Sequence, residues 1–532
     1  MVSISSEAAR KTVEALTLLH HPSLSQALKA FTSLSQLKQT HAHLIISGLT
    51  PNLFTTTRLL ACAALSPSAH NLSYAAAIFQ HFPKPSLFMY NTMLRALSYH
   101  PDRYYVCFEY YKRLLCNGFV PDKFTFPFVV RACWVFGDLG LGQQVHCHIL
   151  KFGLGCDVFV VNHVLNMYLG FGELHYARNV FEECLGFVDV VSWTSLISGC
   201  WSLGEVELAR WYFDVMPCKS VVSWNVMISG LMRIGRVSEA RKVFDEMPER
   251  DVASWGAMVS GYSQCGMGGE ALRVFREMVE AMVVPNLPAL VSAVSACAQL
   301  RALDDGVWLH DYIVKNKFDI DVTLGTALLD MYGRCGYIER AVEVFNCMAE
   351  KNVLSWNSMI ASLAMNGFGR LGLSLFWQMQ LFGLKPNDFT FIALFAGCSH
   401  SGLVDEGLRL FGLMTQKYKI KPQREHYGCV VDLLGRAGMI EEALKFVQGM
   451  PVEPHPELWG SLVGACSIHE DIELGRRLGK HLINLDLQRC GRYALLSNLF
   501  ASARRWDDVE MVRKLMKDRK VLKSPGNSVV ES

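Results

Sequence analysis

The sequence predicts an all-α fold, a superhelical α-solenoid of helix-turn-helix repeats, and three observations carry that prediction. A ten-residue phrase returns four times, as VVSWTSLISG (190–199), VVSWNVMISG (221–230), VASWGAMVSG (252–261) and VLSWNSMIAS (353–362). Its tryptophan is evenly spaced: Trp193, Trp224 and Trp255 are 31 residues apart, and Trp356 follows after 101, the span of two units of 35 and one of 31. Glycine also recurs at a fixed distance behind each phrase. A period in this range is the mark of stacked hairpins, each too small to bury its own apolar face.

Taken in order, the register places unit starts at Leu53, Leu87, Lys123, Val158, Val190, Val221, Val252, Leu287, Val322, Val353, Asp388 and Arg424, with lengths from 31 to 36 residues. Twelve units thus fill residues 53–455 without a gap. A degenerate unit is expected at 18–52, and residues 1–17, with Arg10 and Lys11 but also Glu7 and Glu14, are read as a weak organelle-targeting segment. Hydrophobic residues make up 51% of the 532 and charged ones 19%, so most segments bury a face. A net charge of +2 excludes a generally basic, phosphate-gripping surface. The longest run without Asp, Glu, Lys, Arg or His, 281–300, contains Pro285 and Pro288, so no membrane span is expected.

Inside a unit, about three turns of apolar periodicity lead to slot 15. That slot is glycine in nine units: Gly137, Gly172, Gly204, Gly235, Gly266, Gly336, Gly367, Gly402 and Gly438. Glycine there ends a first helix in the left-handed conformation. A segment such as RVSEARKVFDEM (236–247) then forms a second, amphipathic helix stopped before Pro248. Slot 20 is small, either alanine (Ala177, Ala209, Ala240, Ala271, Ala341, Ala443) or glycine (Gly142, Gly306, Gly372, Gly407), which admits a close neighbour. Trp224 is expected to pack rather than to bind.

Catalytic and metal chemistry leave no trace, and no cofactor is expected. Of 17 cysteines, Cys133, Cys200, Cys297, Cys398 and Cys466 share slot 11, a packing position, and no C-x-x-C occurs. His41, His146 and His310 share slot 24, so they read as repeat residues rather than ligands. His455-Pro-Glu457 matches half of a nucleotide-deaminase signature whose P-C-x-x-C half is missing. No phosphate loop, nucleophile elbow or dinucleotide fingerprint appears. The chain is not expected to be an enzyme.

The variable letters are slot 5 and the last slot. Slot 5 holds Asn91, Pro127, Asn162, Thr194, Asn225, Gly256, Val291, Thr326, Asn357, Ile392 and Gly428 in successive units from Leu87 onward. The last slot of those units holds Asp122, Asp157, Asp189, Ser220, Asp251, Asn286, Asp321, Asn352, Asn387, Gln423 and His455. Residues alone leave two readings open: last-slot Asp and Asn as helix caps, or polar pairs for recognition.

The stretch 221–251, VVSWNVMISGLMRIGRVSEARKVFDEMPERD, resembles a pentatricopeptide repeat of plant organelles, and the mix of 35/36- and 31/32-residue units resembles the PLS subfamily. The resemblance implies a right-handed superhelix, a monomer, and single-stranded organellar RNA read one base per repeat through slot 5 and the last slot. Chemically, a last-slot Asp accepts from the ring N–H of uracil or guanine, whereas Asn donates to the bare ring nitrogen of cytosine or adenine. Asn91/Asp122, Asn162/Asp189 and Asn225/Asp251 then resemble uracil readers, and Thr326/Asn352 an adenine reader. Asn357/Asn387 resembles a pyrimidine reader favouring cytosine, and Thr194/Ser220 is purine-like. Gly256/Asn286 and Gly428/His455 depart from readable pairs. Pro127, Val291 and Ile392 mark L units, where the family docks small accessory editing proteins. From Asn91 the implied site is U-N-U-A-U-N-N-A-Y-N-N-N-N-N-C, ending on the edited cytidine.

Residues 456–532 resemble the paired E motifs, with Val529 where the family usually has Trp, and no DYW deaminase domain follows. The resemblance therefore implies a site-recognition factor for C-to-U editing, with a DYW-type cytidine deaminase in trans. Mitochondria are the expected location, with the chloroplast as alternative. Two other readings are a splicing, stability or translation factor for organellar RNA, and a protein-binding helical scaffold.

Overall fold

The computed structural model describes residues 34–48, 52–65, 69–100, 103–451, 454–485, 489–519 and 521. The segment 1–17, the start of the 18–52 unit and Val529 lie outside the described residues. Among the described residues there are twenty-nine α-helices and no strand. They fall into two compact units, 1–249 and 250–532. The first unit holds the helix Leu34–Ile46 and six hairpins from Leu53 to Asp245; the second holds eight hairpins from Val252 to Asp518. Within each unit a first helix packs on its own second helix and on the first helix of the next hairpin, which makes an all-α helical-repeat solenoid.

First helices begin at Val158, Val190, Val221, Val252, Leu287, Val322 and Val353, the expected unit starts. The unit at Lys123 differs, because its helix runs from Phe126 to Phe136. Pro127 explains the delay: a helix begun at Lys123 would need an N–H from Pro127, whereas a start at Phe126 puts proline in the first turn, where no donor is missed.

All nine slot-15 glycines are left-handed, with φ between +67° and +82°. The next residue donates back into the first helix, as Glu205 N–H to the Cys200 carbonyl (2.9 Å) and Arg236 N–H to that of Leu231 (3.0 Å). This backbone closure turns the chain without help from a side chain. In three further hairpins a residue other than glycine takes the same left-handed conformation, Arg301 (φ +55°), Glu470 (φ +58°) and Arg504 (φ +58°).

The two unit lengths have one source. Second helices of long units have 13 residues, as in Gly268–Glu280, and those of short units 9 or 10, as in Val237–Asp245 and Val206–Val215. The difference of about four residues is one helical turn. No helix among the described residues is long and apolar enough to cross a membrane.

Packing follows the slots. Phe181, Phe213 and Phe345 each meet the following phrase tryptophan edge-on, at 4.8 Å to Trp193, 4.9 Å to Trp224 and 4.9 Å to Trp356. The slot-20 alanines are fully buried. The slot-20 glycines Gly142, Gly306 and Gly407 make room for large side chains from the next first helix: a Cβ added there would lie 2.9 Å from Met167 Sδ, 2.4 Å from Met331 Sδ and 2.3 Å from Leu433 Cδ2. Slot-11 cysteines are buried, and burial pushes the thiols of Cys133 and Cys297 up to about 12 and those of Cys200, Cys398 and Cys466 up to about 11. His41, His146 and His310 bond the hydroxyls of Tyr74, Tyr168 and Tyr332 at 2.8, 3.0 and 2.8 Å, and burial lowers each imidazole's pKa.

Candidate nucleic-acid interface

The start of each first helix brings slot 5 beside the last slot of the same unit, because that last residue caps the next first helix. Asp189, Ser220, Asp251, Asn286, Asp321, Asn352 and Asn387 all stand at N-cap positions with side chains accepting backbone N–H bonds. The capping reading is thus part of the geometry.

Three sequence-predicted pairs are hydrogen-bonded. The Asn91 amide donates to Asp122 Oδ1 (3.0 Å), that of Asn162 to Asp189 Oδ1 (3.3 Å), and that of Asn357 to Asn387 Oδ1 (3.0 Å). A buried hydroxyl at slot 3 of the next unit ties each pair. Thr125 donates toward Asn91 Oδ1 and Asp122 Oδ1 (both 2.8 Å), Ser192 toward Asn162 Oδ1 (2.6 Å) and Asp189 Oδ1 (3.0 Å), and Thr390 toward Asn357 Oδ1 (2.7 Å) and Asn387 Oδ1 (3.0 Å). One oxygen of each last-slot residue absorbs the cap, the amide and the hydroxyl. The other terminal atom, Oδ2 of Asp or Nδ2 of Asn, takes no part in this knot.

Burial works against the charge of Asp189. The Ser192 N–H, the Asn162 amide, the Ser192 hydroxyl and the Val191 N–H outweigh it, and the carboxyl sits below its ordinary range.

The threonine pairs are built differently. Thr194 and Thr326 spend their hydroxyl protons on the carbonyls of Val190 (2.7 Å) and Val322 (2.6 Å), so each oxygen can only accept from a ligand. Ser220 and Asn352 cap through Oγ (3.2 Å) and Oδ1 (3.0 Å). A cavity of about 940 Å³ opens at Thr194 and Ser220, floored by Ser198 and Gly199. Gly256 is buried beside Asn286, and an added Cβ would touch Oδ1 at 3.4 Å. Asn225 lies on the helix Val221–Arg233 of the first unit, and Asp251 caps Val252–Gln264 in the second, where Ser254 N–H meets its Oδ1 at 2.8 Å.

Two features escaped the sequence reading. The slot-3 hydroxyl is one; the other is slot 2, where Phe54, Phe88, Phe124, Phe159, Val191 and Val222 in the first unit, and Leu354 and Phe389 in the second, are all exposed. The signal was visible in VVSW: two adjacent apolar residues at a helix start cannot both face the core.

A family model for the PPR repeat matches residues 191–221, 222–252, 253–283, 326–353, 354–384, 389–418 and 425–453, and one for the E motif matches 469–531. Pentatricopeptide repeat-containing protein At5g56310 of Arabidopsis thaliana is 38% identical over 502 residues, covering 94% of this chain and 88% of its own. The chain belongs to the pentatricopeptide repeat family. Its E motif places it in the E subgroup, which fits the PLS subfamily. The chloroplastic pentatricopeptide repeat-containing protein At1g08070 of the same plant is 35% identical over 592 residues, with 97% and 79% of the two chains covered. Among solved structures, maize PPR10 superposes with a TM-score of 0.52 at 15% identity, covering 91% of this chain and 83% of that one. PPR10 in complex with an 18-nt psaJ RNA element gives 0.53 at 15%, covering 91% and 81%. At that identity the likeness shows the pentatricopeptide solenoid itself.

Proposed function

We propose that this pentatricopeptide repeat protein binds single-stranded organellar RNA base by base and marks a cytidine for C-to-U editing. The observation that carries the reading is the tied pair at Asn91–Asp122, Asn162–Asp189 and Asn357–Asn387. Each knot fixes which polar atoms are left for a base. Asn91 keeps one amide proton and Asp122 keeps Oδ2, a donor beside an acceptor, and uracil offers a carbonyl beside the N3–H. Asn357 with Asn387 leaves two donors, which suit O2 and N3 of cytosine. Thr326 with Asn352 leaves an acceptor and a donor, which suit the N6 amino group and N1 of adenine. Thr194 with Ser220 has the same polarity, above a cavity with room for a purine. Slot-2 side chains such as Phe88, Phe124 and Phe159 supply surfaces on which neighbouring bases stack.

Editing, rather than RNA binding alone, is supported by the E motif at 469–531. The deaminase is assigned to a DYW-type partner acting in trans; His455-Pro-Glu457 lacks a neighbouring P-C-x-x-C and is not counted as its site. Accessory editing proteins are placed on the L units at Lys123, Leu287 and Asp388. The location proposed is the mitochondrion, with the chloroplast, named for one relative, as alternative. Sequencing organellar RNA from plants lacking the protein tests this: one or a few C-to-U events should vanish. Intact editing with altered splicing or transcript ends would overturn the editing role.

A further inference from the structure

The unit at Lys123 carries Pro127 at slot 5 and so has no base-reading amide, yet it is not featureless. A cavity of about 440 Å³ opens at Pro127, walled by Tyr99, Arg131, Trp134, His163 and Asn166, all within the first unit. The Arg131 guanidinium lies 4.2 Å above the centre of the Tyr99 ring, a stacking distance that fixes its plane. Its Nε is buried with no hydrogen-bond partner, and the side chain forms no salt bridge with any described residue. A cation held in place beside a cavity, with no carboxylate answering it, favours an anionic ligand.

One helical turn after Arg131, on the same helix, the lining is aromatic. Trp134 is nearly half exposed, and its indole is seated against Gly170, where an added Cβ would fall 2.3 Å from Nε1. Only glycine permits that seat. His163 Nδ1 bonds the Phe159 carbonyl (2.8 Å), so that nitrogen carries the proton and Nε2 is left as an acceptor. The cavity therefore offers a π-face, a fixed cation and a hydrogen-bond acceptor. An inorganic ion would leave the indole unused, and an apolar ligand would leave the cation unanswered; a nucleotide uses all three.

We propose that this pocket takes the nucleotide opposite the Lys123 unit, its base stacked on Trp134 and its phosphate on Arg131, so that the unit binds by stacking and charge without reading a base edge. The inference rests on the RNA-binding reading above, since the pocket lies between the Asn91–Asp122 and Asn162–Asp189 pairs.

Fluorescence anisotropy with the full chain tests it. The probes are single-stranded RNAs built on U-N-U-A-U-N-N-A-Y, with adenine or an abasic ribose at the second position. Wild type should bind the abasic RNA about tenfold more weakly, the usual scale for one stacked base. Trp134→Leu should bind the two equally. Replacing the adjoining phosphate with a neutral methylphosphonate should weaken binding to wild type and not to Arg131→Gln. Equal affinity of wild type for the adenine and abasic RNAs, with the flanking uracils still discriminated, overturns the pocket and leaves the paired slots intact. Loss of discrimination at the flanking uracils as well overturns both.

Discussion

The amide of Asn162 donates to Oδ1 of Asp189 at 3.3 Å, and the Ser192 hydroxyl of the next hairpin bonds both residues. Base-facing chemistry and helix capping therefore share one side chain, divided between its two terminal atoms. Asp189→Asn keeps Oδ1 for the cap, as Asn387 does, and turns the remaining acceptor into a donor. Binding to RNA with uracil opposite this unit should weaken by ~1–3 kcal/mol, the range for a polar group left unmatched. Binding to the cytosine variant should strengthen, with the helix cap retained because Asn caps as well as Asp. Anisotropy on the two RNAs decides; equal losses on both would reduce Asp189 to a cap.

The same knot predicts a pH dependence. The Asp189 carboxyl titrates below its unfolded value of 3.8, so its ionised form favours the native state. That contribution is present above about pH 4 and is lost as pH falls through the depressed folded value. Thermal melts from about pH 6 down to about pH 3 should show a steeper acid loss for wild type than for Asp189→Asn. Parallel curves would count against a stabilised carboxylate.

Much of this was legible in the sequence, for definite reasons. Glycine at slot 15 announces a left-handed residue because few others tolerate it, and nine glycines proved left-handed. Slot-11 cysteines announced the core through their register. Tertiary hydrogen bonds were not legible: nothing in the order of letters says that Thr125, Ser192 and Thr390 tie residues 30 or more positions back. Nor does it say that Pro127 delays its helix, which depends on where the missing N–H would fall.

Turns made without glycine mark stability left unused. Arg301, Glu470 and Arg504 hold φ between +55° and +58°, where a Cβ costs roughly 1–2 kcal/mol. Glycine at any one of them should remove that strain while adding unfolded-state entropy worth roughly 0.5–1 kcal/mol. The net expectation is a gain of about 0.5–1 kcal/mol per site. Denaturant titration of Glu470→Gly measures it, and a loss of stability would show that the Glu470 side chain makes a compensating contact.

Slot 20 predicts a coupled pair. Alanine stands there where slot 10 of the next unit is small, as Ala177 before Gly199 and Ala341 before Ser362; Gly142, Gly306 and Gly407 stand before the large Met167, Met331 and Leu433, while Gly372, before Gly397, falls outside this pairing. Gly306→Ala should destabilise by ~1–3 kcal/mol, since its Cβ would fall 2.4 Å from the buried Met331 Sδ. Met331→Ala alone opens a cavity and should cost ~2–5 kcal/mol. Combined, the two should cost less than their sum, because the new methyl group enters the vacated space. Strict additivity would mean that the helices shift apart instead.

Thr326 offers the converse of the Asp189 exchange. Its hydroxyl proton is committed to the Val322 carbonyl at 2.6 Å, and Asn352 caps through Oδ1, so the pair presents an acceptor and a donor. Thr326→Asn replaces the acceptor with an amide able to tie to Asn352, reproducing the arrangement of Asn357 with Asn387. Ser355 supplies the buried slot-3 hydroxyl that the knot requires once its proton turns from the Asn352 carbonyl (2.8 Å) to the new amide oxygen, so no second substitution is needed. The unit should move from adenine toward cytosine, losing ~1–3 kcal/mol on the adenine RNA as the N6 amino group loses its acceptor. Thr326 is buried, so the larger amide must fit, and a parallel melting measurement separates a folding defect from a change of recognition. A stable variant that still prefers adenine would show that Asn352 alone sets the base, and slot 5 would then be a packing position in this unit.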